Sequence, residues 1–211
     1  MSFEEIQYNK LPQTKDDLNM KCVVLGDAGV GKTSVIERLS TNTFRERSQS
    51  TIGVDYRVIC IKGVKPVKVK VWDTAGHERF RSVTQMYYRN TDCVMVVFSL
   101  CDRDSLTNVE SWVHNLREHN EDNVPILLVG TKDDLSQDDE LREESYSMAQ
   151  ELGLHGPIFI SSKSMKDKIL LNYLKPFFRA IAFASVPKDT TSLEFCTGGR
   201  KRFRSIGCCF M

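Results

Sequence analysis

The loop from residue 26 to residue 33 limits most strongly what this chain can fold into. It reads Gly26-Asp27-Ala28-Gly29-Val30-Gly31-Lys32-Thr33. This fits the pattern G-x-x-x-x-G-K-[ST], and it stands between an apolar β-rich run and a helical pattern, where such a loop is expected. Glycines let successive backbone amides point at phosphate oxygens, and the following helix N-terminus adds partial positive charge. The loop predicts a phosphate site in which Lys32 bridges the outer phosphates and Thr33 ligates Mg²⁺.

Apolar runs typical of strands alternate with helical periodicity from Met20 onwards. The pattern predicts strands at 21–25, 56–61, 67–72, 94–100, 126–129 and 158–160, and helices at 32–39, 105–119, 140–152 and 168–184. A short link at Gly63 favours an antiparallel hairpin between the second and third strands, whereas the alternation elsewhere favours parallel pairing. The expected fold class is α/β, with a six-stranded, mostly parallel sheet flanked by helices. Pro176 lies inside the last helical pattern and predicts either a kink or a helix in two parts.

Length and composition suit one ordinary domain with an extension at each end. The 211 residues are 41% hydrophobic and 27% charged, which supplies enough apolar material for a core. We expect a polar extension at 1–19, a single domain at 20–185 and a flexible tail at 186–211. No apolar run approaches the ~20 residues of a membrane-spanning helix, and the polar, acidic start lacks the apolar centre of a secretory signal. A reducing compartment is therefore expected, and disulfides are not.

Positive charge is concentrated near the end of the chain. The net charge is +1, but no acidic residue follows Glu194, and basic residues stand at 200, 201, 202 and 204. The rest of the chain is slightly acidic, which argues against a nucleic-acid-binding surface on the fold itself. The basic tail instead predicts contact with something anionic.

Three further loops with chemically useful side chains follow predicted strands, at 73–76, 130–134 and 161–163. Ligands of open α/β folds bind at the carboxyl ends of strands, so these loops are expected beside the phosphate loop. Asp73 is suited to hold a Mg²⁺ water, and the amide of Gly76 to contact a γ-phosphate. The carboxylate of Asp134 is suited to accept both N–H groups on the guanine edge, which adenine does not offer. The phosphate loop alone leaves ATPases and nucleotide kinases open, whereas the order and spacing of all four loops favour a GTPase.

With these loops in place, the chain closely resembles the Ras superfamily of small GTPases and, within it, the Rab family. The resemblance covers about residues 20–184 and extends to the tail. The Rab-like segments are Thr51-Ile52-Gly53-Val54-Asp55, the WDTAG-x-ERF stretch at 72–80, and Arg81-Ser82-Val83-Thr84 leading into Tyr87-Tyr88-Arg89.

The resemblance implies a site for GTP or GDP with Mg²⁺. The implied nucleotide-binding residues are Gly26, Asp27, Ala28, Gly29, Val30, Gly31, Lys32, Thr33, Ser34, Phe44, Thr51, Gly76, Thr131, Lys132, Asp134, Ser162 and Lys163. Thr33 and Thr51 would ligate the metal, and Asp73 would support it through water. Phe44 would lie edge-on against the guanine ring. The surroundings of Thr51 and of Gly76 would be two switch regions, ordered by GTP and released by GDP.

Three positions depart from the family pattern. His77 stands where the family has the glutamine that orients the attacking water. It either places the water or points away, and we expect slow hydrolysis unless a partner supplies catalytic groups. Thr131 replaces the usual Asn of N-K-x-D in the loop at 130–134, here called the base loop. Its hydroxyl is suited to take over part of the amide's role, which is to link the base loop to the phosphate loop. Ser162 replaces the usual Ala, with little effect expected because the family's contact there is a backbone amide.

Two adjacent cysteines, Cys208 and Cys209, stand near the end of the chain. Cysteines on a flexible tail are typical of lipid acceptors. The resemblance to the Rab double-cysteine ending implies geranylgeranylation of both, which we favour. Taken as C-a-a-X, the last four residues instead imply one farnesyl group on Cys208. Stable anchoring takes two signals, and the basic tail residues supply a second one if only one chain is attached.

The resemblance therefore implies a lipid-anchored switch in vesicle traffic. The expected location is the cytoplasmic face of intracellular or plasma membranes, with a cytosolic pool. Expected partners are effector proteins, an exchange factor, a GTPase-activating protein, and chaperones for prenylation and membrane recycling, but no nucleic acid. The alternative is a GTP-binding scaffold with negligible hydrolysis that recruits effectors, and His77 is the residue that separates the two.

Overall fold

The computed structural model describes residues 18–46, 51, 53–62, 66–76, 85–120, 123–136 and 138–184. Within these ranges the strands are β1 (Leu18–Leu25), β2 (Val54–Ile61), β3 (Val67–Thr74), β4 (Cys93–Ser99), β5 (Ile126–Thr131) and β6 (His155–Phe159). The helices are α1 (Lys32–Thr41), α2 (Arg103–His119), α3 (Asp139–Glu151) and α4 (Asp167–Ala184). All ten elements occupy the places that the sequence pattern predicts, with ends that differ by up to three residues.

The strands form one six-stranded sheet in the order β2-β3-β1-β4-β5-β6. β2 pairs with β3 in antiparallel fashion, and every other neighbouring pair is parallel. The α/β class and the mostly parallel sheet are thereby confirmed, as is the antiparallel pair. β1 lies at the centre, where the strand order reverses and where ligands of open α/β sheets bind.

Two apolar clusters cover the two faces of the sheet. Alternate residues of β1 point to opposite faces, so Cys22 and Val24 belong to the cluster beneath α1 and α4, whereas Val23 and Leu25 pack beneath α2 and α3. Every residue of β4 and β5 is buried, as expected for parallel strands covered on both faces. This central sheet provides a rigid base for the loops at its carboxyl edge.

Two details of the elements differ from the sequence prediction. β6 begins at His155, three residues before the predicted start at Ile158, because the exposed His155 carries no apolar signal although it pairs with Leu127 of β5. α4 runs unbroken past Pro176, so the two-part helix is wrong. The apolar face on both sides of the proline packs on the core through Leu174 and Phe178, which stabilises a continuous helix in spite of the missing N–H. The kink stays a prediction.

The ends of the chain lie outside the described residues, so the division into extension, domain and tail stays a prediction. β1 begins at Leu18, three residues before the predicted strand start. None of the helices in the described part of the chain is both long and apolar enough to span a membrane.

Candidate nucleotide site

The four loops singled out in the sequence lie at one edge of the sheet. The phosphate loop connects β1 to α1, and residues 75–76 follow β3. Thr131 ends β5, and residues 161–163 follow β6. Because these strands run parallel, their carboxyl ends meet at the same edge. The topology thus brings together every loop that the sequence assigned to the nucleotide.

The phosphate loop depends on glycine for its shape. Gly26 and Gly31 have φ angles of 135° and 101°, a region that side chains other than glycine rarely adopt. A Cβ on Gly26 would stand 2.1 Å from the carbonyl oxygen of Val97 in β4. The loop therefore turns directly against the neighbouring strand, and Gly31 leads into α1.

The side chain of Lys32 is buried against the first residues of this loop. Its side chain is 5% exposed, and its Nζ donates to the carbonyl oxygens of Gly26 (2.9 Å) and Asp27 (2.7 Å). Burial lowers the pKa of the Lys32 ammonium to about 8, against the opposing effects of the Asp73 and Asp27 carboxylates. The ammonium is thus held inside the loop, where a phosphate would also meet it.

Two hydroxyls and one carboxylate converge beside the lysine. The Oγ1 of Thr33 donates to the Oδ2 of Asp73 at 2.6 Å, and lies 2.9 Å from the Oγ1 of Thr51. Thr51 is itself 3.5 Å from the same carboxylate oxygen. The other oxygen of Asp73, Oδ1, is buried without a hydrogen-bond partner. Burial raises the pKa of Asp73.

This cluster fits a magnesium ion. Mg²⁺ prefers oxygen ligands, usually keeps several waters, and binds through one or two carboxylates together with substrate phosphates. A buried carboxylate with one unpaired oxygen carries a desolvation cost that a cation or its water would offset. Thr33, Thr51 and Asp73 are the three residues that the resemblance assigns to the metal.

Gly76 closes the site from the side of β3. A Cβ at this position would stand 2.2 Å from the Nζ of Lys32 and 2.4 Å from the carbonyl oxygen of Asp27. The backbone after β3 therefore lies directly against the phosphate loop. His77 lies outside the described residues, so its role stays a prediction.

Thr131 ties the base loop to the phosphate loop. Its Oγ1 lies 2.5 Å from the carbonyl oxygen of Val30 and 3.0 Å from that of Phe98. The hydroxyl has one proton and can donate to only one of the two at a time, and the shorter distance favours Val30. The hydroxyl thus makes the link between loops that the departure from Asn was expected to preserve.

The neighbouring base-loop residues are held by the loop after β6. Lys132 has a φ of 59°, in the left-handed region. The Oδ1 of Asp134 accepts from the Oγ of Ser161 at 2.5 Å. The same Oγ accepts from the backbone N–H of Ser164 at 3.0 Å, so the serine is fixed while it orients the carboxylate. Ser162, the third departure, is 7% exposed.

Arg38 is a positioning residue that the sequence analysis missed. From α1 its Nε donates to the carbonyl oxygen of Ser162 at 2.8 Å, and its Nη2 donates to that of Lys163 at 3.4 Å. A lone arginine on an otherwise ordinary helix gives no sequence signal for a contact 124 residues away. The sequence predicts Ser161 only as part of its loop. A hydroxyl that follows the last predicted strand is nevertheless a signal for a contact with the neighbouring loop.

Phe44 follows α1 and is half-buried. Two residues further on, Glu46 pairs with Lys163, with 3.0 Å between its Oε1 and the lysine Nζ. This pair also raises the pKa of the exposed Lys163. The segment that carries Phe44 therefore lies beside the loop after β6, on the base side of the site.

An aromatic surface flanks the phosphate side. Trp72 in β3 stacks on Tyr56 at 5.3 Å between ring centroids and lies 5.1 Å from Tyr87. Tyr56 is 55% exposed and Met86 is 75% exposed. Tyr88, by contrast, is fully buried and packs in the cluster beneath α2. The adjacent tyrosines therefore have different roles, one on the surface and one in the core.

A phosphate loop between strand and helix, next to a hydroxyl–carboxylate cluster at the reversal point of a parallel sheet, defines a P-loop nucleotide-binding α/β protein. The comparisons narrow this class. A sequence model of the Ras family matches residues 21–175. The chain belongs to the Ras family, and its curated relatives identify it as a Rab-type small GTPase.

Three of these relatives come from two mammals and a plant. Ras-related protein Rab-19 of Bos taurus is 31% identical over 213 residues, which cover 93% of this chain and 98% of that protein. Ras-related protein RABA2a of Arabidopsis thaliana is 34% identical over 191 residues, covering 86% and 85%. Rab-19 of Homo sapiens is 37% identical over 154 residues, covering 72% and 70%. The resemblance noted in the sequence is thereby confirmed.

Proposed function

We propose that this protein is a membrane-anchored GTP/GDP switch in intracellular vesicle traffic, with slow intrinsic GTP hydrolysis. One observation carries the proposal: Thr33, Thr51 and Asp73 converge beside a buried lysine of the phosphate loop. Thr51 precedes β2, and Asp73 lies in β3. A ligand that spans this cluster therefore fixes segments that are separate in the chain, which is what a nucleotide-dependent switch requires.

The phosphate chemistry is assigned to the loop 26–33 and its neighbours. Backbone amides of the loop would bind phosphate oxygens, together with the α1 N-terminus that begins at Lys32. Lys32 would leave its two carbonyl partners to contact the outer phosphates, and the amide of Gly76 would contact the γ-phosphate. When bound, Mg²⁺ would neutralise charge on the β- and γ-phosphates. Thr33 and Thr51 would hold it directly, and Asp73 would hold it through water.

Base specificity is assigned to Asp134. Its carboxylate, oriented by Ser161, would accept both N–H groups of the guanine edge. Lys132, Ser162 and Lys163 would complete the pocket, with Phe44 edge-on against the ring. The ordering contacts of Ser161 and Arg38 support this assignment because they fix the loops that carry these groups.

The rate of hydrolysis depends on His77, which takes the place of a water-orienting glutamine. A histidine reaches less far than a glutamine, and when neutral it has one donor and one acceptor. We expect the GTP state to persist until a GTPase-activating protein supplies catalytic groups. An arginine that such a partner inserts raises the rate of GTP hydrolysis by a factor on the order of 10³–10⁵. The alternative is a scaffold that binds GTP, recruits effectors and turns over negligibly.

Single-turnover hydrolysis of pre-loaded GTP tests this proposal. We expect His77→Gln to raise the rate at least tenfold, because the amide restores a group that orients the attacking water. His114→Gln is the matched control, since the same change falls on an exposed side chain of α2 and should leave the rate unaltered. Equal and fast rates for the wild type and His77→Gln would rule out impaired chemistry at this position. No measurable hydrolysis in either would favour the scaffold.

Effector recruitment is assigned to the surface formed by Tyr56, Trp72 and Tyr87. These aromatic rings lie on or next to the segments around Thr51 and Gly76, so a change in either segment alters the surface they present. Tyr56 is exposed, whereas Trp72 and Tyr87 are half-buried. Aromatic side chains that reach the surface in this way are typical anchors for a protein partner. An exchange factor would act on the same segments from the nucleotide side.

Membrane attachment is assigned to Cys208 and Cys209. Geranylgeranyl groups on both cysteines would anchor the protein to the cytoplasmic face of an intracellular or plasma membrane, with prenylation and recycling chaperones maintaining a cytosolic pool. The basic residues at 200–204 would add electrostatic attraction of about 1 kcal/mol each near an anionic leaflet.

A further inference from the structure

The side chain of Asp27 in the phosphate loop points to a helix. One carboxylate oxygen accepts from the indole Nε1 of Trp112 at 2.8 Å, and the other accepts from the Nδ2 of Asn108 at 2.7 Å. Both donors belong to α2, four residues apart, so they lie on one face of the helix. The second residue of the phosphate loop is therefore attached, at both oxygens, to an element more than 80 residues away.

The donors are well placed to hold this carboxylate still. Trp112 is 2% exposed and packs in the cluster beneath α2, so its indole N–H is held by the core. The N-terminus of α2 is capped by Asp102, whose carboxylate accepts from the N–H of Ser105. Arg103 at the start of α2 pairs with Glu140 and Glu144 of α3. The helix is thus fixed from several sides and provides a rigid support.

An aspartate in a phosphate-binding loop presents an electrostatic problem. Its charge has the same sign as the ligand, and like charges in a partly buried site repel. Hydrogen bonds to a charged acceptor are stronger than those between neutral groups. Two such bonds from α2 hold the negative charge on the side of the loop that faces the helix. The carbonyl of the same residue accepts from Lys32, so Asp27 is also in direct contact with the lysine.

We propose that Asp27 is a positioning residue whose carboxylate, held by Asn108 and Trp112, fixes the phosphate loop to α2 and directs its charge away from the phosphates. The inference rests on the nucleotide-binding function proposed above. It adds that α2 controls how firmly the nucleotide is retained, although Asn108 and Trp112 contact the loop rather than the ligand.

The rate of GDP release from the full-length protein, loaded with fluorescent GDP and Mg²⁺, tests the proposal. The variants exchange the carboxylate of Asp27 and the amide of Asn108. Asn108→Asp places a carboxylate opposite a carboxylate and removes one donor. We expect GDP release to accelerate about tenfold, the effect of losing one hydrogen bond to a charged group. Asp27→Asn is measured as the second single variant, so that the coupling between the two positions comes from a complete double-mutant cycle. The double variant Asp27→Asn/Asn108→Asp pairs an amide with a carboxylate again and should return release to within about threefold of the wild-type rate.

Matched variants separate positioning from general destabilisation. Thr107→Asp adds the same charge to the neighbouring exposed position of α2 and should leave release unchanged. Trp112→Phe keeps an aromatic ring in the core but removes the indole donor, and it should also accelerate release about tenfold. Rescue by the double variant would not occur if Asn108→Asp acted only by weakening α2.

The outcomes are distinct. Acceleration by Asn108→Asp, rescue in the double variant and no change in Thr107→Asp support the proposal. Unchanged release in Asn108→Asp, or a double variant that releases GDP as fast as Asn108→Asp, overturns it and leaves nucleotide binding intact. Failure of the wild type to retain GDP at all overturns the proposed function and this inference with it.

Discussion

Lys32 illustrates how one residue meets opposing demands. It must carry a positive charge to bind phosphates, yet it is buried, and burial lowers its pKa to about 8. Two backbone carbonyls replace part of its lost hydration. Bound phosphates would add strong negative charge nearby and raise the pKa again. We therefore expect nucleotide binding to be coupled to protonation of this side chain.

This coupling predicts proton uptake on nucleotide binding. Only the protonated lysine attracts phosphates, so affinity should be highest below pH 8 and fall as the pH rises above it. At pH 8 about half a proton should be taken up per GDP, against about a tenth at pH 7. Calorimetric titration of nucleotide-free protein in two buffers of different ionisation enthalpy measures this uptake.

Lys32→Arg is the control for the proton measurement. A guanidinium stays charged throughout this range, so the uptake above pH 7.5 should disappear even if affinity falls. No uptake by the wild type at pH 8 would mean that Lys32 binds phosphates without a change in its protonation.

Some residues of the site were predictable from the sequence, and others were not. The motif in residues 26–33 identified Lys32 and Thr33 because their spacing is tied to a mechanism. Thr131 was expected to link two loops, and it makes that contact. The attachment of Asp27 to α2 was not anticipated, because a motif specifies residue types and not the direction in which a side chain points. Only the packing of α2 on the sheet brings Asn108 and Trp112 to the loop.

At the scale of elements, α1 connects the two halves of the site. Its N-terminus begins at the phosphate loop, and six residues after Lys32 the side chain of Arg38 donates to the carbonyls of Ser162 and Lys163. The same guanidinium donates to Asn42 just beyond the end of the helix. The planar fork of arginine suits several carbonyls at once. One helix therefore sets the distance between the phosphate loop and the loop after β6.

We predict that Arg38→Ala weakens GDP binding about five- to tenfold, because the carbonyl of Ser162 loses a charge-assisted hydrogen bond and its loop is freed. Arg38→Lys should recover only part of the loss, since an ammonium cannot reproduce the fork. Fluorescent-nucleotide titration provides the affinities. Arg117→Ala, at an exposed position of α2 whose guanidinium contacts Leu152, is the control and should not change affinity. Equal affinities in Arg38→Ala and the wild type would contradict the role of α1.

The ends of elements were harder to predict than their existence. Apolar periodicity located all ten elements of the described ranges because burial on the sheet produces it directly. It placed the start of β6 late, since His155 pairs with Leu127 of β5 yet is exposed. It also left the effect of Pro176 open, because the core contacts that stabilise α4 on both sides come from other parts of the chain. Backbone pairing and long-range packing carry little signal in the local sequence.

At the scale of the whole molecule, the sheet order explains why the site exists. β1 lies between β3 and β4, so the phosphate loop that follows it emerges beside the end of β3 with Asp73 and Gly76. β5 and β6 place the base loops further along the same edge. Loops that follow four strands thus lie at one edge of the sheet, and the two apolar clusters pack on its two faces. In the part of the chain that the structure describes, the loops that carry the proposed nucleotide contacts therefore share one edge of the sheet.

The identity of the nucleotide that co-purifies with the full-length protein tests this account most directly. After gentle purification with Mg²⁺, denaturation and chromatography of the released small molecules measure what was bound. We expect close to one guanine nucleotide per chain, with GTP persisting for hours if His77 slows hydrolysis, and no displacement by excess ATP. Bound adenine nucleotide, or equal competition by ATP and GTP, would contradict the assignment of Asp134 and with it the central claim.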